Sequence, residues 1–156
     1  AGFTVQRSRY AEKESWSEDP DVAPTKYMPR TPDCYGYFTL TSAPFRNFDV
    51  SLSGVYTGRM RVPHIAPDAS EIPAGYEYSY ITKDELVHTP DFFELNLKLN
   101  YTFVLSDHVK LQLNGGVQNM FNAFQKDLDK GAYRDSGYFY GPVQPRTFFI
   151  GVKITN

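Results

Sequence analysis

The sequence predicts an all-β chain of antiparallel, up-and-down strands, and three observations lead there. Apolar and polar residues alternate at period two over several stretches, as in strands with one apolar and one polar face. The connections between these stretches are alternately long and short. With Gly 11 and Pro 11 in 156 residues, the chain carries too many turn formers for a helix bundle of this size.

Six strands are expected, near 2–11, 35–42, 46–62, 92–105, 109–121 and 146–155. The first is the least regular, because Arg7 and Arg9 share parity with Phe3 and Val5. It opens without Met and without a charged-then-apolar leader, as if in mid-strand, so a mature or excised piece of a longer chain is expected. The second leads to a turn at Ser42-Ala43-Pro44-Phe45. In the third, Phe48, Val50, Leu52, Gly54, Tyr56, Gly58 and Met60 alternate with Asp49, Ser51, Ser53, Val55, Thr57 and Arg59. The fourth is the clearest: Phe93, Leu95, Leu97, Leu99, Tyr101, Phe103 and Leu105 are separated by Glu94, Asn96, Lys98, Asn100 and Thr102. After Ser106-Asp107-His108 the alternation resumes with Val109, Leu111, Leu113, Gly115 and Val117, which makes a long hairpin with a short turn. The last strand alternates Phe148, Ile150, Val152 and Ile154 with Thr147, Phe149, Gly151 and Lys153.

Long connections fall near 12–34, 63–90 and 122–142, and short ones at 42–46 and 106–108. Loops this long are uncommon in compact domains. Three of them at the same end of an up-and-down sheet fit a transmembrane β-barrel, with short turns on one side and long loops on the other. No apolar run is long enough for a transmembrane helix, and a mean hydropathy of −0.46 does not exclude a barrel, whose alternating strands average to polar.

Alternation alone does not choose between a membrane barrel and a soluble one, which turns its apolar face inward. Two features favour the membrane. The apolar faces are nearly unbroken over a span of about 9–11 residues, and Phe45, Phe48, Tyr101, Phe103 and Phe121 gather toward strand ends, as interfacial girdles do. The alternative is a soluble secreted β-sandwich or barrel that binds a ligand or glycan. A net charge of −2 excludes charge-driven attraction to nucleic acid. One cysteine, Cys34, excludes an intrachain disulfide.

Gly116-Val117-Gln118-Asn119-Met120-Phe121-Asn122 resembles an element of the penultimate strand of TonB-dependent outer-membrane receptors. The segment 124–146, with Tyr140-Gly141-Pro142 and Pro145-Arg146, is similar to that family's last extracellular loop. Tyr56-Thr57-Gly58-Arg59-Met60 with Val62-Pro63-His64, and Arg30-Thr31-Pro32-Asp33 before Tyr35-Gly36-Tyr37, resemble further family segments. The resemblance covers nearly the whole chain. It implies about the last six strands of a 22-stranded transmembrane β-barrel in the Gram-negative outer membrane. The implied activity is TonB-coupled uptake of a scarce ligand such as a ferric siderophore, haem or cobalamin. The implied partners are outer-membrane lipid, the N-terminal plug domain, the remaining barrel strands and, through the plug, the TonB system. A surface lipoprotein is a further partner open to such a receptor. The chain departs from the family in ending Ile154-Thr155-Asn156 rather than on an aromatic residue, so either the end is trimmed or the end signal is atypical.

No catalytic constellation, resident cofactor or metal site is expected, and the chain reads as a non-enzyme. His64, His88 and His108 lack metal-ligand spacing to one another or to Cys34. The ligand-binding candidates are His64, Arg59, Arg61 and the alternating Tyr76, Tyr78 and Tyr80. His64 opens a long loop where an axial haem ligand could sit, and a tyrosine stripe offers rigid amphipathic contact area. The bland alternatives are an ordinary loop histidine and a hairpin packed on itself. The run Asp127-x-Asp129-x-Gly131 with Asp135 has the opening of a calcium loop without its remaining ligands. Pairing of those carboxylates with Arg134 and Arg146 is the expected structural role. The polar face is expected to carry Asp49, Arg59, Arg61, Glu94, Lys98, Lys110 and Lys153 toward a hydrated lumen and plug.

Overall fold

The computed structural model describes residues 1–76 and 81–155. The described residues form strands, turns and loops and no helix. No helix is therefore long and apolar enough to cross a membrane, which says nothing of crossing by strands.

Ten strands form among the described residues: β1 (Gly2–Val5), β2 (Arg9–Glu14), β3 (Thr25–Tyr27), β4 (Cys34–Phe45), β5 (Phe48–Thr57), β6 (Arg61–His64), β7 (Glu85–His88), β8 (Phe92–Val104), β9 (Lys110–Gln118) and β10 (Thr147–Thr155). Six of them make one antiparallel sheet in the order β1-β4-β5-β8-β9-β10, each beside its neighbour along the chain once the small hairpins are set aside. The hairpins β2-β3 and β6-β7 stand apart as two-stranded sheets inside the long connections.

The main sheet's register aligns its faces across every strand. Val50 faces Leu99, Leu52 faces Leu97 and Leu40, and Tyr56 faces Phe93. Leu97 pairs with Val117, and Leu113 pairs with both Tyr101 and Val152. The hairpin predicted over 93–118 forms, closed by a hydrogen bond from the Leu105 amide to the Val109 carbonyl at 2.9 Å. Because side chains alternate with period two, this register collects most of the apolar residues of the six strands on one surface, while Tyr35, Tyr37, Val55 and Phe149 fall on the other. Among the described residues nothing covers that surface: Ile150 is 87% exposed, and Phe148 and Val5 are each 76% exposed.

Three predicted boundaries are corrected. The strand expected over 2–11 splits, because β1 stops at Val5 and β2 pairs with β3 instead of with the main sheet. Continuing in register would have placed Arg7 and Arg9 on the apolar face. The chain turns out where the Gln6 amide donates to Asp33 O at 2.8 Å and its side chain donates to Pro32 O at 2.9 Å. The strand expected over 46–62 ends at Thr57. Gly58 then passes so close to Cys34 that a Cβ would lie 2.7 Å from its sulfur. As a result Arg59 and Arg61 leave the polar face of the sheet. The turn expected at 42–45 sits later, at Arg46-Asn47, with Asn47 at φ 65°. An irregularity between Ser42 and Phe45 accommodates Pro44, which cannot donate to the ladder.

Apart from Gly36 and Gly54, the buried residues lie at the loop end of the sheet and in the long connections. Val62 (0% exposed), Tyr138 (2%), Tyr140 and Phe92 form the apolar cluster, with Met60, Val87 and Ala123 against it. These residues belong to the long connections and to the adjoining end of β8.

Candidate functional site

All three long connections leave the same end of the main sheet, and they interlock there. Arg30 of the first donates to Phe139 O of the third at 2.6 Å, and also to Gly137 O. The Arg30 amide donates to Arg61 O of the second at 2.7 Å. Ser17 donates to the Asp84 carboxylate, whose other oxygen accepts from the Ala66 amide at 2.8 Å. The result is a folded loop layer with its own core.

His64 ends β6 inside that layer and is 6% exposed. Its Nε2 lies 2.8 Å from Asp129 Oδ2, and its Nδ1 lies 3.7 Å from Glu85 Oε1. Its ring stacks flat on Tyr138. Asp129 also accepts from the Asp135 amide at 3.4 Å, and Asp135 accepts from the Ile65 amide at 2.8 Å. The loop that carries the acidic run is thereby tied to the β6 strand.

Asp127 sits between two tyrosines. Tyr138 donates to its Oδ2 at 2.7 Å, and Tyr140 donates to its Oδ1. Burial by itself pushes the carboxyl up, but hydrogen bonds from Tyr140 and Tyr138 outweigh it and hold the group below its ordinary 3.8. Burial and the facing carboxylate push Tyr140 up to about 12, and Tyr138 is raised further by the same causes. Gln125 completes the arrangement, donating to Tyr138 O and accepting from the Tyr140 amide at 3.0 Å.

A second cluster lies at the seam between the two small hairpins. Two guanidinium groups lie against the ring of Tyr27 on β3: Arg61 is 3.1 Å and Arg9 is 4.3 Å from its centroid. Arg9 also donates to the Tyr27 hydroxyl at 3.0 Å. The hydroxyl's pKa is lowered, chiefly by hydrogen bonding and charge from Arg61 and then by Arg9. Arg61 Nε donates to His88 Nε2 at 2.9 Å. Ser8, Thr31, Asp33, Arg59, Arg61 and His88 line a small recess of about 60 Å³ beside Tyr27.

Of the predicted site residues, Arg59 and Arg61 come together with His88, while His64 lies in the other cluster, buried and engaged by carboxylates. Tyr76 packs edge-on against Tyr133, centroids 5.3 Å apart, at the surface. Tyr78 and Tyr80 lie outside the described residues. The pairing expected of Arg134 and Arg146 with the acidic run is corrected. Arg134 donates to Gly131 O at 2.9 Å, and the carboxylates are taken by tyrosines, His64 and backbone amides. Among the described residues no three His, Cys, Asp or Glu side chains converge as a metal site would need.

Sequence reasoning missed Tyr27, Tyr138, Tyr140 and Asn119 as organising residues. For Asn119 a signal existed in the Gly-x-x-Asn element. Its backbone is left-handed at φ 48°, which asparagine tolerates. Its side chain donates to Ala123 O and Gln144 O and accepts from the Ala123 amide, all within 2.8–2.9 Å. Asn122, at φ 52°, accepts from the Arg146 amide at 2.9 Å and so pins the start of β10. Tyr27 had no such signal, because its partners come from separate parts of the chain.

Chemically, the first cluster is a closed set of mutually satisfied polar groups. The second presents cationic donors to solvent. Comparison with protein-family models, curated proteins and solved structures finds no match to this chain.

Proposed function

We propose that the chain is the C-terminal wall segment of a TonB-dependent outer-membrane transporter, supplying about the last six strands of its barrel and three of its extracellular loops. The observation that carries this reading is the uncovered apolar face, in register across all six strands of the main sheet. Water disfavours so large a contiguous patch, whereas lipid tails would cover it without cost.

The arrangement within that face supports lipid contact. Phe45, Phe48, Tyr101 and Phe103 form one aromatic row at the short-turn end, with neighbouring centroids 4.6–6.5 Å apart. Phe3, Tyr56, Phe38, Phe93 and Phe121 gather at the loop end. Leu40, Val50, Leu52, Leu95, Leu97, Leu99, Ile150 and Val152 lie between. From Phe48 to Tyr56, at about 3.3 Å per residue, the strand covers roughly 26 Å, comparable with an apolar band of about 25 Å flanked by girdles. The opposite face carries Thr39, Ser51, Ser53, Glu94, Asn96, Lys98, Gln112 and Asn114, suited to a hydrated lumen and a polar plug. Both outer strands, β1 and β10, have an unpaired edge, which the remaining barrel strands would take up.

In this reading the chain is a transport component rather than an enzyme. Its cargo would be a scarce ligand of the siderophore, haem or cobalamin kind, and its energy would come through the plug and TonB. The test is fractionation of cells expressing the polypeptide that carries this segment. It should sediment with the outer membrane and require detergent for extraction. A soluble, monodisperse product with a cooperative melt would replace this reading with a secreted ligand-binding β-domain.

A further inference from the structure

The cluster around Tyr27 concentrates positive charge without neutralising it. Arg9, Arg59 and Arg61 come from two different connections and meet at one seam. Like charges brought together repel, so this meeting is held by other contacts: the Tyr27 ring against the guanidinium groups of Arg9 and Arg61, and the Arg30 amide bonded to Arg61 O. Among the described residues none of the three arginines forms an ion pair; the two ion pairs in the structure both belong to His64. Asp33, the one carboxylate among the described residues that line the recess, is tied by its backbone amide to Arg59 O at 3.2 Å, and among those residues its side chain pairs with no guanidinium.

His88 lines the same recess and accepts from Arg61 Nε at 2.9 Å, which fixes the Arg61 guanidinium there. Arg59 makes no side-chain hydrogen bond among the described residues, which leaves its five N–H groups available. Ser8 and Thr31 add hydroxyls to the same rim. A guanidinium fork matches the geometry of a carboxylate or phosphate.

We propose that the recess formed by Arg59, Arg61, His88 and Tyr27 binds an oxyanionic group, a phosphate or a carboxylate, at the solvent side of the loop layer. The proposal rests on the reading of that layer as the ligand-facing end of the chain, and names the chemistry it would select. At about 60 Å³ the recess takes one such group rather than a whole ligand. It would therefore act as an anchor for part of a larger molecule or for a lipid headgroup.

The experiment titrates the detergent-purified polypeptide that carries this segment with inorganic phosphate, with citrate and with vesicles containing anionic phospholipid, by calorimetry at low and raised salt. Saturable binding of phosphate or citrate, weakened by salt and at least tenfold by Arg59→Gln, supports a site for a soluble anion. Saturable binding of anionic vesicles alone, lost in Arg59→Gln, supports the same site with a headgroup as its source. Arg59→Gln removes a side chain without partners among the described residues, so circular dichroism should show an unchanged fold. Arg61→Gln serves as the second variant and should weaken binding comparably. No saturable binding, or equal binding by the wild type and Arg59→Gln, overturns the proposal. Failure here leaves membrane extraction unaffected, whereas failure of the barrel reading appears in the fractionation and not in this titration.

Discussion

The imidazole of His64 and the phenol ring of Tyr138 stack with centroids 3.7 Å apart and planes 8° from parallel. Tyr138 is 2% exposed, and His64 is buried with it. This contact joins the second long connection to the third, since His64 belongs to β6 and Tyr138 follows the acidic run. The stacked pair is braced at both ends by carboxylates, Asp129 on His64 and Asp127 on Tyr138.

Replacing His64 with Ala removes the stack and strands Asp129. The expected cost to the loop layer is about 2–3 kcal/mol, from a lost aromatic contact and a lost charge-assisted hydrogen bond. Proteolysis within 119–146 under native conditions is the direct measure. Unchanged protection of that segment would contradict the role assigned to His64.

The Asp127 dyad predicts losses of stability at both pH extremes. The folded state favours ionised Asp127, so its contribution is present above the ordinary carboxyl value of 3.8 and is lost as pH falls through the lowered folded value. The folded state favours neutral Tyr140, so that contribution is present below 10.0 and is lost as pH rises through about 12. Near-ultraviolet circular dichroism melts across pH should decline on both limbs. Asp127→Asn should flatten the acid limb, and an acid limb identical to wild type would reject the assignment.

Close backbone approach at Gly116 predicts intolerance of even a methyl group. A Cβ there would collide with the Leu97 carbonyl oxygen on β8 and come within 2.9 Å of the Phe149 ring on β10. Gly116→Ala should cost about 1–3 kcal/mol through overpacking. Asn119→Ala, which removes three hydrogen bonds from a buried position, should cost about 3 kcal/mol at roughly 1 kcal/mol per bond. Denaturant midpoints in detergent measure both, and midpoints within error of wild type would refute the packing argument.

Leu97 and Lys98 are adjacent and lie on opposite faces of β8. In the membrane barrel we propose, Leu97→Arg is expected to cost about 2–4 kcal/mol, because charge at the lipid midplane is expensive. Lys98→Gln, on the polar face, should be nearly silent. Equal tolerance at the two positions would show that the apolar face does not meet lipid.

The isolated 156-residue chain should transport nothing and should aggregate without detergent. Under the reading we propose, six strands with two open edges cannot close a 22-strand circumference, since barrel diameter grows with strand number. Size exclusion and circular dichroism of the chain expressed alone would check this, with a cooperatively melting soluble monomer as the contrary outcome.

The main sheet was readable because its information is local. Period-two alternation over 93–105 and 109–117 states which face each residue takes, and two short turns bring neighbours together without distant contacts. The loop layer was not readable in the same way. Its connections were recognisable by length, but the hairpins β2-β3 and β6-β7 are short, the first is irregular, and their strands lie far apart along the chain. The arginines at positions 7 and 9 did mark the first strand as irregular. That they eject the chain at Gln6 follows from the burial cost of charge on a shared apolar face, which a single strand does not reveal.

Composition and alternation by themselves determined an all-β chain, its antiparallel up-and-down order, the apolar face of each strand and the end at which the long connections lie. Tertiary structure alone decided that Arg61 meets Tyr27 and His88, that His64 stacks on Tyr138, and that Asp127 is held by two tyrosines rather than by arginine. The physical reason is range. Alternation follows from backbone geometry within one strand, whereas each of these contacts joins residues from separate elements, and their partners are chosen by how three long connections fill the space above the sheet.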